Sequence, residues 1–210
     1  MGEGQGLSML AQAKLGEAIS LPKPRQKSSM SVEESIARRR SVREFDPAPL
    51  DLRAISQLLW SAQGVTSDRG FRAAPSAGRA YPLELYVACA EGLFHYRPRE
   101  HSVVKVLSAD VRAALTRQGR CDVFVAQAPV SLIFAAVYER TTNYYGERGE
   151  RYVHLDVGHA AENVHLQGEA LELGSCAVGA FDDAGVARVL GLPKEQKPLY
   201  VIPVGRPLGR

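Results

Sequence analysis

The sequence has little of what marks several common protein classes. Among its 210 residues are only three cysteines, Cys89, Cys121 and Cys176, and no CxxC pair. An odd number at this spacing fits neither a disulfide framework nor a zinc site, so buried, reduced thiols are expected. No stretch approaches the ~18 to 20 apolar residues of a membrane helix. Met1 to Ser20 lacks the basic-then-apolar layout of a secretion signal, and the cytoplasm is the default location. GxGxxG after a strand, GxxxxGK[ST] and HExxH are all missing, so nothing supports a dinucleotide fold, a P-loop or a zinc helix. His154, His159 and His165 are spaced five and six apart, not four, and no metal site is expected. The net charge is only +3 and basic residues form no long runs, which argues against a nucleic-acid partner.

What is present reads as an ordinary globular chain, 45% hydrophobic and 23% charged. The length suggests one domain, or one domain plus a tail, able to bury roughly 70% of its unfolded surface. Residues 1–30 are rich in Gly, Ser and Lys and read as an N-terminal extension, either a short helix and strap or a disordered lead-in. Pro22 and Pro24 favour extended backbone there. The globular domain is expected over residues 31–210. No internal repeat is visible.

Ser31 followed by Glu34 forms a capping box and opens a helix that ends near Arg40, with Ile36 and Ala37 expected inward. Asp46 to Pro49 is a turn. Asp51 caps a second helix with Ile55, Leu58, Leu59 and Ala62 on one face, stopped by Gly64. Thr66 to Ala80 is irregular. Strands are expected over 83–90, 93–96, 103–107 and 199–204, and a short helix over 110–119. The apolar run 129–137 reads as a central strand buried on both faces. Residues 152–173 form a long helix with small Gly158, Ala161 and Gly168, and 183–190 a last helix. The irregular alternation indicates an α+β fold with a mixed or antiparallel sheet.

Three segments carry candidate chemistry. Arg39, Arg40, Ser41 and Arg43 span a helix end and an extended stretch, where Ser41 and Arg43 point the same way. Guanidinium forks beside a hydroxyl suit a phosphate dianion, although the same pattern fits a solvated basic helix terminus. Pro75, Ser76, Ala77 and Gly78 form a loop of small residues that admits a flat ligand close to the backbone. Small Ala177, Gly179 and Ala180 follow the long helix and leave backbone N–H groups accessible. Cys176 beside them reads as a packed thiol rather than a nucleophile.

Together these segments, with the ending Pro198 to Pro207, resemble the nitroreductase-like FMN oxidoreductases, and most closely their SagB-type dehydrogenase branch, over residues 31–207. The resemblance implies an α+β sandwich, a sheet flanked by helices, in an intertwined homodimer with FMN at each subunit interface. By position, Arg39, Arg40, Ser41 and Arg43 would hold the phosphate and ribityl chain. Pro75 to Gly78 would line the flavin from the partner subunit, and Val178, Gly179 and Ala180 would face N5. Arg206 or Arg210 would assist at the phosphate. Azoline-oxidising members carry an adjacent Lys-Tyr pair; here the pair is Tyr144 and Tyr145, the candidate catalytic residues. Tyrosine, with an ordinary pKa near ~10, is a poor base at neutral pH, which counts against azoline oxidation. The expected activity is hydride transfer to or from a small organic substrate, with NAD(P)H as a donor. The alternatives are an azoline-type dehydrogenase of peptide tailoring and a flavin-binding protein without turnover.

Overall fold

The computed structural model describes residues 3–209. Helix α1 (Glu3–Gln12) leads into a short strand β1 (Ala18–Ser20). Next come α2 (Val32–Arg38) and α3 (Leu52–Gln63), then a single 3₁₀ turn (Ala77–Arg79). Strands β2 (Leu83–Cys89), β3 (Gly92–Arg97) and β4 (Ser102–Leu107) form a meander, followed by α4 (Arg112–Gln118) and α5 (Phe124–Gln127). Strand β5 (Val130–Val137), helices α6 (Glu139–Tyr145) and α7 (Arg148–Glu169), and strand β6 (Gly174–Ser175) precede α8 (Asp183–Leu190) and β7 (Gln196–Gly205). The strands make one antiparallel sheet in the order β1-β4-β3-β2-β5-β7-β6.

Strand β5 lies between β2 and β7 and divides two cores by simple alternation. Its Leu132, Phe134 and Ala136 join Leu58 and Leu59 of α3 and Val157, Ala160 and Val164 of α7 on one face. On the other face Ile133 and Ala135 join Leu115 of α4, Val125 of α5 and Val186 of α8. The architecture is therefore three layers, helices on both faces of an antiparallel sheet. The continuous apolar run expected of a central strand is explained by this double burial.

The capping box at Ser31 and Glu34 is present, with both reciprocal hydrogen bonds (3.0 and 3.1 Å). Asp51 caps α3 by accepting from the Ala54 N–H at 2.6 Å, and Gly64 ends it. Two expectations need correction. Ile36 and Ala37 do not face inward: Ile36 is 59% exposed, and Ser35 is the buried residue of α2. The long helix begins at Arg148 rather than 152 and ends at Glu169, and the short helix α6 before it carries no amphipathic pattern to announce it.

The N-terminal segment is tied into the sheet. Strand β1 pairs with β4, and the Leu21 N–H donates to the His101 carbonyl at 3.0 Å. The His101 ring contacts the Tyr96 hydroxyl (2.9 Å), the Ser56 hydroxyl (2.8 Å) and the Pro22 carbonyl (3.0 Å). Burial, partly opposed by the Pro22 hydrogen bond, holds this imidazole below its ordinary 6.5. A histidine whose folded pKa lies below its unfolded value makes the fold lose stability as pH falls through that window. Thermal unfolding from about pH 7.5 to about 5.5 should therefore fall more steeply in the native chain than in His101→Gln. Parallel slopes would remove His101 from the pH response.

Candidate functional site

The first and third motif segments meet at one edge of the sheet. Ser41 bridges Ser175 of β6, and the Val42 N–H donates to the Ser175 carbonyl at 3.0 Å. Val42 turns inward against Gly174, where an added Cβ would stand 2.5 Å from its side chain, so only glycine permits the approach. Ser41 and Arg43, on either side of Val42, are both exposed, as the alternation of extended backbone predicts. The end of β7 closes the other flank. Phe45 bridges Pro207, and the Asp46 N–H donates to the Arg206 carbonyl at 2.9 Å. Arg206 thus lies beside the arginine segment, while Arg210 falls outside the described residues.

The arginines differ in occupation. The Arg43 guanidinium lies 5.8 Å from the centre of the Phe124 ring and is otherwise open to solvent. Arg39 approaches Glu162 of α7 at 3.9 Å, the outer limit of an ion pair. Arg40 folds back onto the end of α2, donating to the carbonyls of Ala37 (3.1 Å) and Arg39 (2.7 Å). Behind them His165 Nδ1 contacts the Ser175 hydroxyl at 2.6 Å. Burial, with the nearby Arg39 charge, holds His165 below its ordinary value against the pull of Glu162. A neutral ring here adds no charge to the cluster. Of the third segment, Val178 points into the core and spends its N–H on the Val201 carbonyl (2.9 Å), whereas Gly179 and Ala180 are exposed.

The loop at Pro75 stands apart. It packs on α7 at Asp156, six residues before Glu162, hence ~9 Å along the helix axis and on a different side of it. One chain therefore joins the first and third segments directly, while among the described residues no backbone hydrogen bond or bridge joins the second to either. Gly78 has φ +58, and a Cβ there would lie 2.7 Å from the Tyr145 hydroxyl. Tyr145 and Tyr144 end α6, with rings 5.6 Å apart, Tyr144 84% exposed and Tyr145 37%. Tyr152 of α7 meets Tyr145 edge-on at 5.0 Å.

Several polar residues around this loop were not legible as site residues. Arg140 of α6 donates to Glu84 of β2 (2.5 Å) and to the Tyr81 carbonyl (3.1 Å), and Glu84 contacts His95 at 2.6 Å. The network pins the tyrosine-bearing helix to the strand after the loop. Asp156 is 3% exposed, and its Oδ2 has no hydrogen-bond partner, a burial that costs about 1–3 kcal/mol. Nothing in the spacing of a helical Asp or a strand Glu signals such contacts, which, apart from Glu84 with His95 eleven positions on, join residues more than fifty positions apart.

The three cysteines are free and buried. Burial is the leading cause that pushes Cys89 up to about 12 and Cys121 up to about 11, so neither is a thiolate at neutral pH. Among the described residues no group of three or more His, Cys, Asp or Glu is arranged to hold a metal, and no helix is long and apolar enough to cross a membrane. A cleft of about 300 Å³ opens between the N-terminal segment, α3 and α7, lined by Arg25, Met30, Trp60 and Gln167 among others, and touches none of the three motif segments.

With this geometry in place, comparison with known proteins gives one family. Residues 36–206 match the nitroreductase family model. A nitroreductase-type protein of Methanocaldococcus jannaschii, MJ1384, is 45% identical over 183 residues, covering 84% of this chain and 91% of that one. The crystal structure of a nitroreductase-type protein from Ralstonia eutropha superposes with a TM-score of 0.85 at 30% identity, covering 94% and 93% of the two chains. The NADPH:FMN oxidoreductase of Vibrio harveyi, solved with NAD+, shares the fold at 19% identity and a TM-score of 0.62, over 84% of this chain and 69% of that one. The chain belongs to the nitroreductase family and has its α+β fold. It is an oxidoreductase of that family.

Burial pushes Glu84 up, but the hydrogen bonds and charges of His95 and Arg140 outweigh it and hold the carboxylate below its ordinary 4.5. Its contribution is therefore complete above that value and is lost as pH falls through the lowered one. Glu84→Gln should destabilise the protein by about 1–2 kcal/mol at neutral pH, the low figure reflecting the partly exposed Arg140. In urea titrations the gap between native chain and variant should close below about pH 4.5.

Proposed function

We propose that this protein is an FMN-dependent oxidoreductase of the SagB-type branch that transfers hydride between NAD(P)H and a small organic substrate. The observation that carries the reading is the meeting of Ser41 and Arg43, exposed Gly179 and Ala180, and Arg206 at one sheet edge. The donor set fits a phosphorylated, planar, redox-active ligand. Arg39, Ser41, Arg43 and Arg206 supply charge-assisted donors for a phosphate. Arg40 joins them by releasing the two carbonyls it now holds. Glycine and alanine at 179 and 180 leave backbone N–H groups reachable from one edge, and Pro75, Ser76, Ala77 and Gly78 offer a flat wall. FMN, when bound, supplies the two-electron chemistry; the chain binds it, orients it and screens it from water.

The wall at Pro75 is contributed by the partner subunit of a homodimer. The separation of that loop from the arginine segment within one chain supports this. So does an exposed stripe of Val32 and Ile36 on α2 and Leu155 on α7, beside Gly158, where a Cβ would meet nothing within 4 Å. Apolar residues of this kind on open helix faces suit a close helix–helix interface. Tyr144 and Tyr145 lie at the substrate side of the loop; Tyr145 is the candidate proton donor, its hydroxyl held over Gly78. Residues 31–210 form the flavin domain, and residues 1–30 act as a strap tied at Leu21 and Arg25. The buried free thiols suit the reducing cytoplasm.

The purified protein should be yellow or take up added FMN. Arg43→Ala should bind FMN about five- to thirtyfold more weakly, ~1 to 2 kcal/mol, with an unchanged melting temperature. Titration by flavin fluorescence tests this. A colourless protein that ignores FMN sinks the proposal, and native affinity in Arg43→Ala places the phosphate elsewhere.

A further inference from the structure

We infer that Asp156 is the positioning residue for the loop Pro75 to Gly78, fixing Ser76 and Ala77 in the conformation that meets the flavin. The inference rests on the assignment of that loop to flavin binding.

The loop is conformationally demanding. Gly78, Arg79 and Tyr81 all have positive φ, +58, +57 and +46, within four residues. Two of the three are not glycine, and such a backbone persists only where its surroundings hold it. Asp156 supplies the hold. The donors that favour its charged form, the Ser76 hydroxyl and the Ala77 N–H, are both loop residues. The Ser76 oxygen in turn accepts from the Tyr81 N–H at 2.9 Å. The Tyr81–Ser76 hydrogen bond thus closes the loop across its left-handed stretch, at the residue whose hydroxyl favours the Asp156 carboxylate.

The carboxylate is otherwise poorly served. It is 3% exposed, its Oδ2 lacks a partner, and burial raises its pKa above 3.8 despite the loop hydrogen bonds and His159 one turn along the helix. An acid buried at such a disadvantage contributes through the loop it organises rather than through the core. It stands on α7, whose buried face is packed against α3 and the sheet, so the loop is referenced to a helix anchored in the core.

Full-length Asp156→Ala, Asp156→Asn and Ser76→Ala test this by two independent readouts. The first is amide hydrogen exchange without flavin. Asp156→Ala should speed exchange at Ala77 and Tyr81 about tenfold or more and leave β5 protected, because it frees the loop and not the core. The second is FMN titration followed by fluorescence and by the visible absorption band. Asp156→Ala should bind about tenfold more weakly, with altered band structure. Asp156→Asn keeps an acceptor for Ser76 and Ala77 and should stay within about threefold of the native chain. Loop exchange unchanged in Asp156→Ala, or lost equally across β5, overturns the inference, as does Asp156→Asn being as weak as Asp156→Ala. If Asp156→Ala fails to fold, Ser76→Ala decides: native loop exchange there overturns it. Faster loop exchange with no FMN binding by the native chain would instead overturn the flavin assignment and leave the positioning role standing.

Discussion

The packing of α7 onto α3 and the sheet is the constraint on which the rest depends. Val153, Val157, Ala160, Ala161 and Val164 are all buried, and the two alanines let the helix lie close to its neighbours. Once that face is fixed, every other direction on α7 is fixed with it. Asp156 addresses the loop at Ser76, Glu162 reaches Arg39, His165 meets Ser175, and Tyr152 supports Tyr145. The helix thus works as a ruler along which the parts of the site are spaced.

The same geometry explains the electrostatics. The arginine segment faces open solvent, where its charges cost little, while the groups behind it are uncharged or paired. His165 is held below its ordinary pKa partly by Arg39 itself, so it does not add to the repulsion within the cluster. Around the second segment the pattern is reversed. There the charges are buried in part and satisfied across elements, as in Arg140, Glu84 and His95, which tie α6 to β2 and β3. On the proposed reading, an open cationic edge and a rigid loop support would suit opposite ends of one elongated anionic ligand held between two subunits.

Much of the local structure was legible in the sequence because its causes are local. The caps at Ser31 and Asp51, the stop at Gly64, the doubly buried strand around Leu132 and the last helix at Asp183 each follow from a pattern within a dozen residues. The exceptions have physical causes too. Helix α2 is too short for its periodicity to set a phase, and Ile36 turned outward because Ser35 lies on the buried side. Helix α6, Glu-Arg-Thr-Thr-Asn-Tyr-Tyr, has no apolar stripe and is held by Arg140 rather than by burial of a face.

The sequence by itself determined the α+β class, the candidate segments and the residue types able to meet a phosphate and a flat ring, since these depend on composition and short-range spacing. Only the tertiary structure decided which of them meet. It joined Ser41 to Ser175 and Arg206 to the same edge, turned Val178 into the core, folded Arg40 back onto its helix, and set the Pro75 loop on another side of α7. It also placed Asp156 under that loop. Contacts between residues many tens of positions apart depend on how α7 packs against α3 and the sheet, and no short pattern encodes that packing.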